Sequence, residues 1–411
     1  MIQEEEKSPM KFQRRTVLKL SAAALAAPAI IPGRLAANDP IIFGAVAPKT
    51  GPLAGGAAVT HWPNLQLWQT QVNAAGGIMV DGNAHPVEII EYDDQTNPGE
   101  TIRGVQRLAT QDNAHFIITP YGTGLHIAAA PIFDRYGYPQ VCVTAITDQG
   151  SELAGQFPNM FFTLGATTPF AGDVIRVLTA MRDAGQIGNR LAMVNVADAF
   201  GIELMAAGMP LAEAAGFELV YETSYPLGTQ DLAPVINGVK DAAPDAFVAW
   251  SYPPDTFGLT EQAMIAGLEV GAYYTAVATS FPGFNARFEG AANNILGAGG
   301  VNPDLPSFQE YEAAHIEVTG QAPDYWASAT TYGSLQVLQQ SIEAVGLDRE
   351  AVSAHIKEAD FDTVLGPMHF RDNNFNQAYW TVGQWQDGVF RGVASQNRDG
   401  VAAARLKEGW A

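Results

Sequence analysis

The chain has 411 residues, 47% of them apolar, and a formal net charge of −21. That length supports two domains with full cores at roughly 100–200 residues each, and so acidic a surface repels nucleic acid and anionic lipid. Cys142 is the single cysteine, which excludes an internal disulfide, and its place in the apolar run 140–143 points to a small core residue rather than a nucleophile.

The N-terminal stretch holds Gln13-Arg14-Arg15-Thr16-Val17-Leu18-Lys19-Leu20, then a weakly apolar run over 20–31 and Pro32-Gly33-Arg34-Leu35-Ala36-Ala37. An arginine pair ahead of an alanine-rich run is the pattern of a twin-arginine export signal, with cleavage expected after Ala37 and Met10 as an alternative start. The run is too short to span a bilayer, which takes about 20 strongly apolar residues. No cysteine lies near the cleavage point, so the expected mature protein is free in the periplasm. Residues 1–37 hold six Lys/Arg against three Glu, a net +3, so the remaining 374 residues carry −24.

Beyond residue 40, apolar runs alternate with segments of helical period. Strands are expected at Ile41–Ala47, Val87–Tyr92, Phe116–Thr119, Gln140–Val143, Leu191–Val196, Glu218–Glu222, Ala246–Trp250 and Tyr274–Ala278. Helices are expected near 58–75, 99–112, 124–136, 169–185, 201–215, 231–241 and 255–267. This alternation predicts an α/β protein of parallel sheets covered by helices on both faces. The break over 147–162 and a fresh cycle after Thr168 argue for two Rossmann-like units. Gly76-Gly77 suits a left-handed helix end, Asn97-Pro98 suits a helix start, and Asp93-Asp94 reads as a solvated loop.

Several motifs fall in register with one known family. They are the strand Ile41–Ala47 running into Thr50-Gly51-Pro52, then Asn73-Ala74-Ala75-Gly76-Gly77-Ile78, then Asp93-Asp94, with 223–226, Asp231 and 364–370 further on. On these the chain resembles, over about 40–395, the leucine/isoleucine/valine-binding periplasmic receptors. The resemblance implies the type I periplasmic binding protein fold, two lobes joined by a three-strand hinge with crossings near 164–166, 297–301 and 366–369. Lobe one is then 40–164 plus 302–366, and lobe two 167–298 plus 370–411.

In open parallel sheets ligands sit beyond the carboxyl ends of strands, among loops and helix N-termini. The loop Tyr121-Gly122-Thr123 precedes a helix, and the resemblance implies that Thr123 holds a ligand carboxylate. Thr144, Ala145 and Thr147 match the family's small-Ala-Thr turn, although Ile146 stands where a threonine is usual. Phe200 and Tyr252 supply aromatic faces, as core or as cleft wall. Ser280 stands where amino-acid receptors carry an acid to neutralise the ammonium group, so Asp148, Asp198 or Asp255 takes over or the ligand has no amine. Gly56 replaces a tryptophan found in some relatives, which predicts a roomier cleft.

No enzyme signature competes with this. The seven histidines, at 61, 85, 115, 126, 315, 355 and 369, lack metal-ligand spacing, and no Gly-x-Ser-x-Gly turn or phosphate-cradling Gly-Lys-Ser/Thr occurs. The expectation is a monomeric receptor without cofactor. It captures an apolar amino acid, or alternatively an aromatic or aliphatic carboxylic acid lacking the amine, and delivers it to an ABC permease in the inner membrane. A sensory ligand-binding module is the other alternative.

Overall fold

The computed structural model describes residues 39–410, so the twin-arginine segment lies outside the described residues. The first third runs β1 (Ile41–Ala47), α1 (Ala54–Thr60), α2 (Trp62–Ala74), β2 (Ile78–Val80), β3 (Asn83–His85), β4 (Val87–Asp93), α3 (Pro98–Thr110), β5 (Phe116–Ile118), α4 (Thr123–Arg135), β6 (Gln140–Cys142), α5 (Gly150–Gln156) and β7 (Met160–Phe162). A second β/α series follows: α6 (Thr167–Asp183), β8 (Arg190–Val196), α7 (Ala199–Ala214), β9 (Glu218–Tyr225), α8 (Ala233–Asp241), β10 (Ala246–Trp250), α9 (Pro253–Ala266), β11 (Ala272–Thr275), α10 (Pro282–Phe288) and β12 (Leu296–Ala298). The chain closes with α11 (Pro306–Thr319), α12 (Ala327–Val345), α13 (Arg349–Glu358), the hairpin β13 (Asp360–Thr363) and β14 (Gly366–His369), then β15 (Tyr379–Gln386) and β16 (Val389–Gln396).

Two main sheets result. The first has the order β4-β1-β5, all parallel, with β6 and β7 pairing in parallel beside it. The second has seven strands in the order β16-β15-β12-β11-β10-β8-β9. Its β8 to β12 pairings are parallel, while β15 and β16 join antiparallel at one edge, so this sheet is mixed. The parallel strands are legible as unbroken apolar runs because helices cover both faces; all five residues of β10, for example, are buried.

Each sheet has its own core. Phe43 of β1 meets Trp68 of α2 edge-to-face at 5.0 Å, with Leu338 of α12 in the same cluster. Trp250 and Tyr274 meet likewise at 5.4 Å in the second core, which Trp385 of β15 also enters. Such aromatic pairs contribute about 0.5–1.5 kcal/mol beyond the area they bury.

Local chemistry explains the boundaries. The helix expected near 58–75 is broken at His61 (φ −105°, ψ −72°) into α1 and α2. Gly76 and Gly77 both take positive φ, at 105° and 111°. The Asn97 side chain accepts hydrogen bonds from the amides of Gly99 and Glu100, and Pro98 opens α3. Asp93-Asp94 is a brace rather than a solvated loop. Burial works against ionisation of Asp93, but bonds from the Thr50 hydroxyl and the Lys49, Gln95 and Thr50 amides hold its pKa at about 2. Asp94 is buried, which pushes its pKa up to about 6, and it accepts from the Thr96 amide and the Thr101 hydroxyl. Cys142 is buried as expected.

Candidate ligand-binding site

The segments that follow the strands of both sheets converge on one enclosed cavity. Tyr121 and Gly122 enter between β5 and α4, Thr144 and Ile146 after β6, and Leu164 after β7. From the second sheet come Phe200 in the first turn of α7, Tyr252 at the start of α9 and Val277 after β11. Trp326 and Ala327, at the head of α12, close it. No lining side chain is charged. The free volume is about 20 Å³, room for a water but not for an organic ligand, whose sites typically span about 300–1,000 Å³. Admitting an organic ligand therefore requires the walls to part.

The walls meet closely. The Phe200 and Tyr252 rings lie 5.0 Å apart at 31°. A Cβ on Gly228, in the loop after β9, would stand 3.4 Å from Pro52 of the loop after β1. One on Gly124, in α4, would stand 3.9 Å from Ala199 of α7.

Two polar groups of the cavity can donate a hydrogen bond that no neighbour takes. The Tyr252 hydroxyl and the Trp326 Nε1–H are buried without a hydrogen-bond partner. Asp198 stands near that hydroxyl without good bonding geometry; burial first, then Asp198, pushes the Tyr252 pKa well above its ordinary value. Gly122 precedes α4 with φ 92°, and its amide donates to the Thr144 hydroxyl at 3.0 Å. Beyond it, the Thr123 and Gly124 amides at the head of α4 have no helical carbonyl to bond, while the Leu125 amide donates to the Gly122 carbonyl at 3.2 Å. The free amides leave a partial positive charge that suits a carboxylate.

Five of the nine predicted residues, Tyr121, Gly122, Thr144, Phe200 and Tyr252, line this cavity. The other four are engaged just behind it. The Thr123 hydroxyl donates to the Ile146 carbonyl at 3.3 Å and accepts from the Ile146 amide at 3.2 Å. Ala145 packs in a cluster with Ala130, Cys142 and Phe162. Thr147 donates to Glu203 of α7 at 3.1 Å. The Ser280 hydroxyl donates to Asp324 at 2.9 Å.

Sequence reasoning missed Leu164, Val277, Trp326 and Ala327, and treated Ile146 only as a departure from pattern. For Trp326 a signal existed: Asp324-Tyr325-Trp326-Ala327-Ser328 sets an acid and two aromatics at the head of a long helical segment. The three acids considered as replacements at Ser280 are all occupied. Asp148 bonds the amide and hydroxyl of Thr168. Asp198 caps α7 through the Gly201 amide, and Asp255 accepts from the Tyr252 amide and the Tyr225 hydroxyl. Asp324, which Ser280 reaches, also accepts from the Ala327 and Ser328 amides, and burial raises its pKa.

The roomier cleft expected from Gly56 is not observed. A Cβ at Gly56 would meet the Tyr121 hydroxyl at 2.2 Å, so the Tyr121 side chain fills the space that the glycine leaves.

A family model described as periplasmic binding protein matches residues 40–389. The chain belongs to the periplasmic binding protein family. Membership of this family implies a periplasmic location. The chain is 24% identical over 388 residues to the Leu/Ile/Val-binding protein homolog 7 of Brucella suis biovar 1, covering 89% of this chain and 94% of that relative.

Two solved structures share the fold of this periplasmic binding protein. One is the branched-chain amino acid transporter substrate binding protein LivJ of Streptococcus pneumoniae in complex with isoleucine. It is 18% identical with a TM-score of 0.74, covering 87% of this chain and 99% of its own. The other is a solute binding protein of an ABC transporter from Rhodopseudomonas palustris BisB5, in complex with 3,4-dihydroxybenzoic acid. It is 20% identical with a TM-score of 0.74, covering 89% of this chain and 99% of its own.

Proposed function

We propose that this chain is the periplasmic receptor of an ATP-driven importer. It is exported by the twin-arginine route, and its two lobes close over a small carboxylate for delivery to an inner-membrane permease. Lobe one is 40–164 with 302–366, and lobe two 167–298 with 370–411. The reading rests on one observation above the rest: residues that follow the strands of both sheets enclose a single cavity whose unpartnered polar groups can donate hydrogen bonds. Such a site holds an acceptor-bearing ligand and performs no chemistry on it. Contacts from both walls favour the closed state by their differential affinity for it.

The carboxylate is read as seated against the first turn of α4, beside Gly122, Thr123 and Thr144, with Ala145 and Thr147 shaping the turn behind. Phe200, Tyr252 and Trp326 then face the ligand body, with Ser280 in support. The uncharged lining favours an acid without an amine over an apolar amino acid, because a buried ammonium without an anionic partner costs several kcal/mol.

Calorimetric titration of residues 38–411 against leucine, isoleucine and phenylalanine, and against benzoate and short-chain acids, tests both parts. The expected result is saturable binding of an acid with its amino-acid counterpart silent. Trp326→Phe, which removes the indole donor together with part of the ring, then weakens binding roughly 2- to 10-fold. Binding of leucine but of no amine-free acid assigns the site to amino acids. Silence from every carboxylate defeats the proposal.

A further inference from the structure

A second cavity, of about 460 Å³, lies away from the first and is formed by segments 301–308, 365–369, 378–380 and 397–399. Its wall is apolar over Leu305, Phe308, Leu365 and Trp380. Its polar end carries an unusual group. The Arg398 guanidinium donates from Nε to the Ala378 carbonyl at 3.0 Å, while its Nη2 is buried without a partner. It forms no ion pair among the described residues. The Nδ1 of His369, on the same wall, is likewise buried and unpartnered. Gly366, at φ 86°, leaves the guanidinium its space, since a Cβ there would stand 3.2 Å from Nη1.

A guanidinium taken out of water without a counter-ion is costly, and burial lowers the Arg398 pKa to about 10. An ordinary structural arginine is discharged by carbonyls or a carboxylate on all its faces. Arg398 has one such contact, and its side chain and the Trp380 indole both line the cavity. Guanidinium geometry matches a carboxylate through two parallel N–H···O bonds. Asp399, exposed and also on the lining, repels a doubly charged anion more strongly than a singly charged one.

We infer that this cavity is a second ligand site, specific for a small organic monoanion with a flat apolar body, its carboxylate on Arg398 and its body against Trp380 and Phe308. The inference is independent of the ligand assigned to the first cavity. Two indoles allow the sites to be read apart, because Trp380 lines this cavity and Trp326 lines the other.

The test is a titration of the isotope-labelled protein with benzoate, following the indole N–H resonances assigned through Trp380→Phe and Trp326→Phe. The expected result is a saturable shift of the Trp380 resonance that Arg398→Gln weakens at least tenfold. Leu305→Trp, which crowds the apolar wall and leaves Arg398 in place, weakens it even if Arg398→Gln fails to fold. A Trp380 resonance that stays fixed up to about 10 mM benzoate, or that shifts equally in wild type and Leu305→Trp, overturns the inference.

Discussion

Asp255 sits where α9 begins and is almost fully buried, its Oδ2 accepting from the Tyr252 amide and the Tyr225 hydroxyl, both at 2.8 Å. Burial pushes its pKa up to about 6 from an ordinary 3.8, against those bonds. A carboxyl whose folded pKa lies above its unfolded value binds its proton more tightly when folded. Its contribution is therefore most favourable below about pH 4 and is lost as pH rises through 6. Asp255→Asn keeps the acceptor without the charge, so its stability should gain on wild type between pH 4 and 7, by at most about 3 kcal/mol. Urea unfolding at each pH measures this. A difference that does not change with pH would mean that the carboxylate ionises at no cost in its buried position. Because Tyr252 lines the ligand cavity and its amide rests on Asp255, the same residue couples acid–base state to the cleft wall.

Helix α7 is tied to the loop after β6 through one side chain. The half-buried Glu203 carboxylate accepts from the Thr147 hydroxyl at 3.1 Å, the Asp148 amide at 3.2 Å, the Gln149 side-chain amide at 2.6 Å and the Thr167 hydroxyl at 3.2 Å. Charge-assisted bonds are the stronger kind, and these join α7 to the loop after β6 and to the first residue of α6. Glu203→Ala should weaken ligand binding about tenfold, chiefly by faster release. Stopped-flow association and dissociation rates check it, and unchanged rates beside a lowered melting temperature would make Glu203 a purely structural tie. The element scale also separates what sequence conveys from what it does not. The runs of β1, β8 and β10 stand out because their burial on both faces removes any need for polar alternation. The break at His61 has a different signal, Pro63 in the first turn of α2, where proline opens a helix rather than continuing one. Thr147 reads as a ligand group only while Glu203, 56 residues away, is out of view.

At the scale of the whole molecule, the cavity is assembled from segments as far apart as Tyr121 and Ala327. Loops that follow strands were legible, because in parallel sheets the place of a ligand follows from strand direction. The place of Trp326 in the cavity was not, despite the acid and aromatics around it, because it depends on how α12 returns to the first core before β15 and β16 complete the second sheet. Nor was the filling of Gly56 by Tyr121, a fit between residues 65 apart in sequence that no local pattern carries. The 20 Å³ cavity and the close approach of Pro52 to Gly228 describe a closed form that must open to take up a ligand. Central to this account is that carboxylate binding draws the two walls together. The most direct measurement is the distance between spin labels on Gln95→Cys and Gln230→Cys, exposed positions on the facing loops, with and without the acid found by calorimetry. The account predicts a longer, broader distribution without ligand that collapses to a single short distance at saturation. A distribution unchanged at saturation would contradict it.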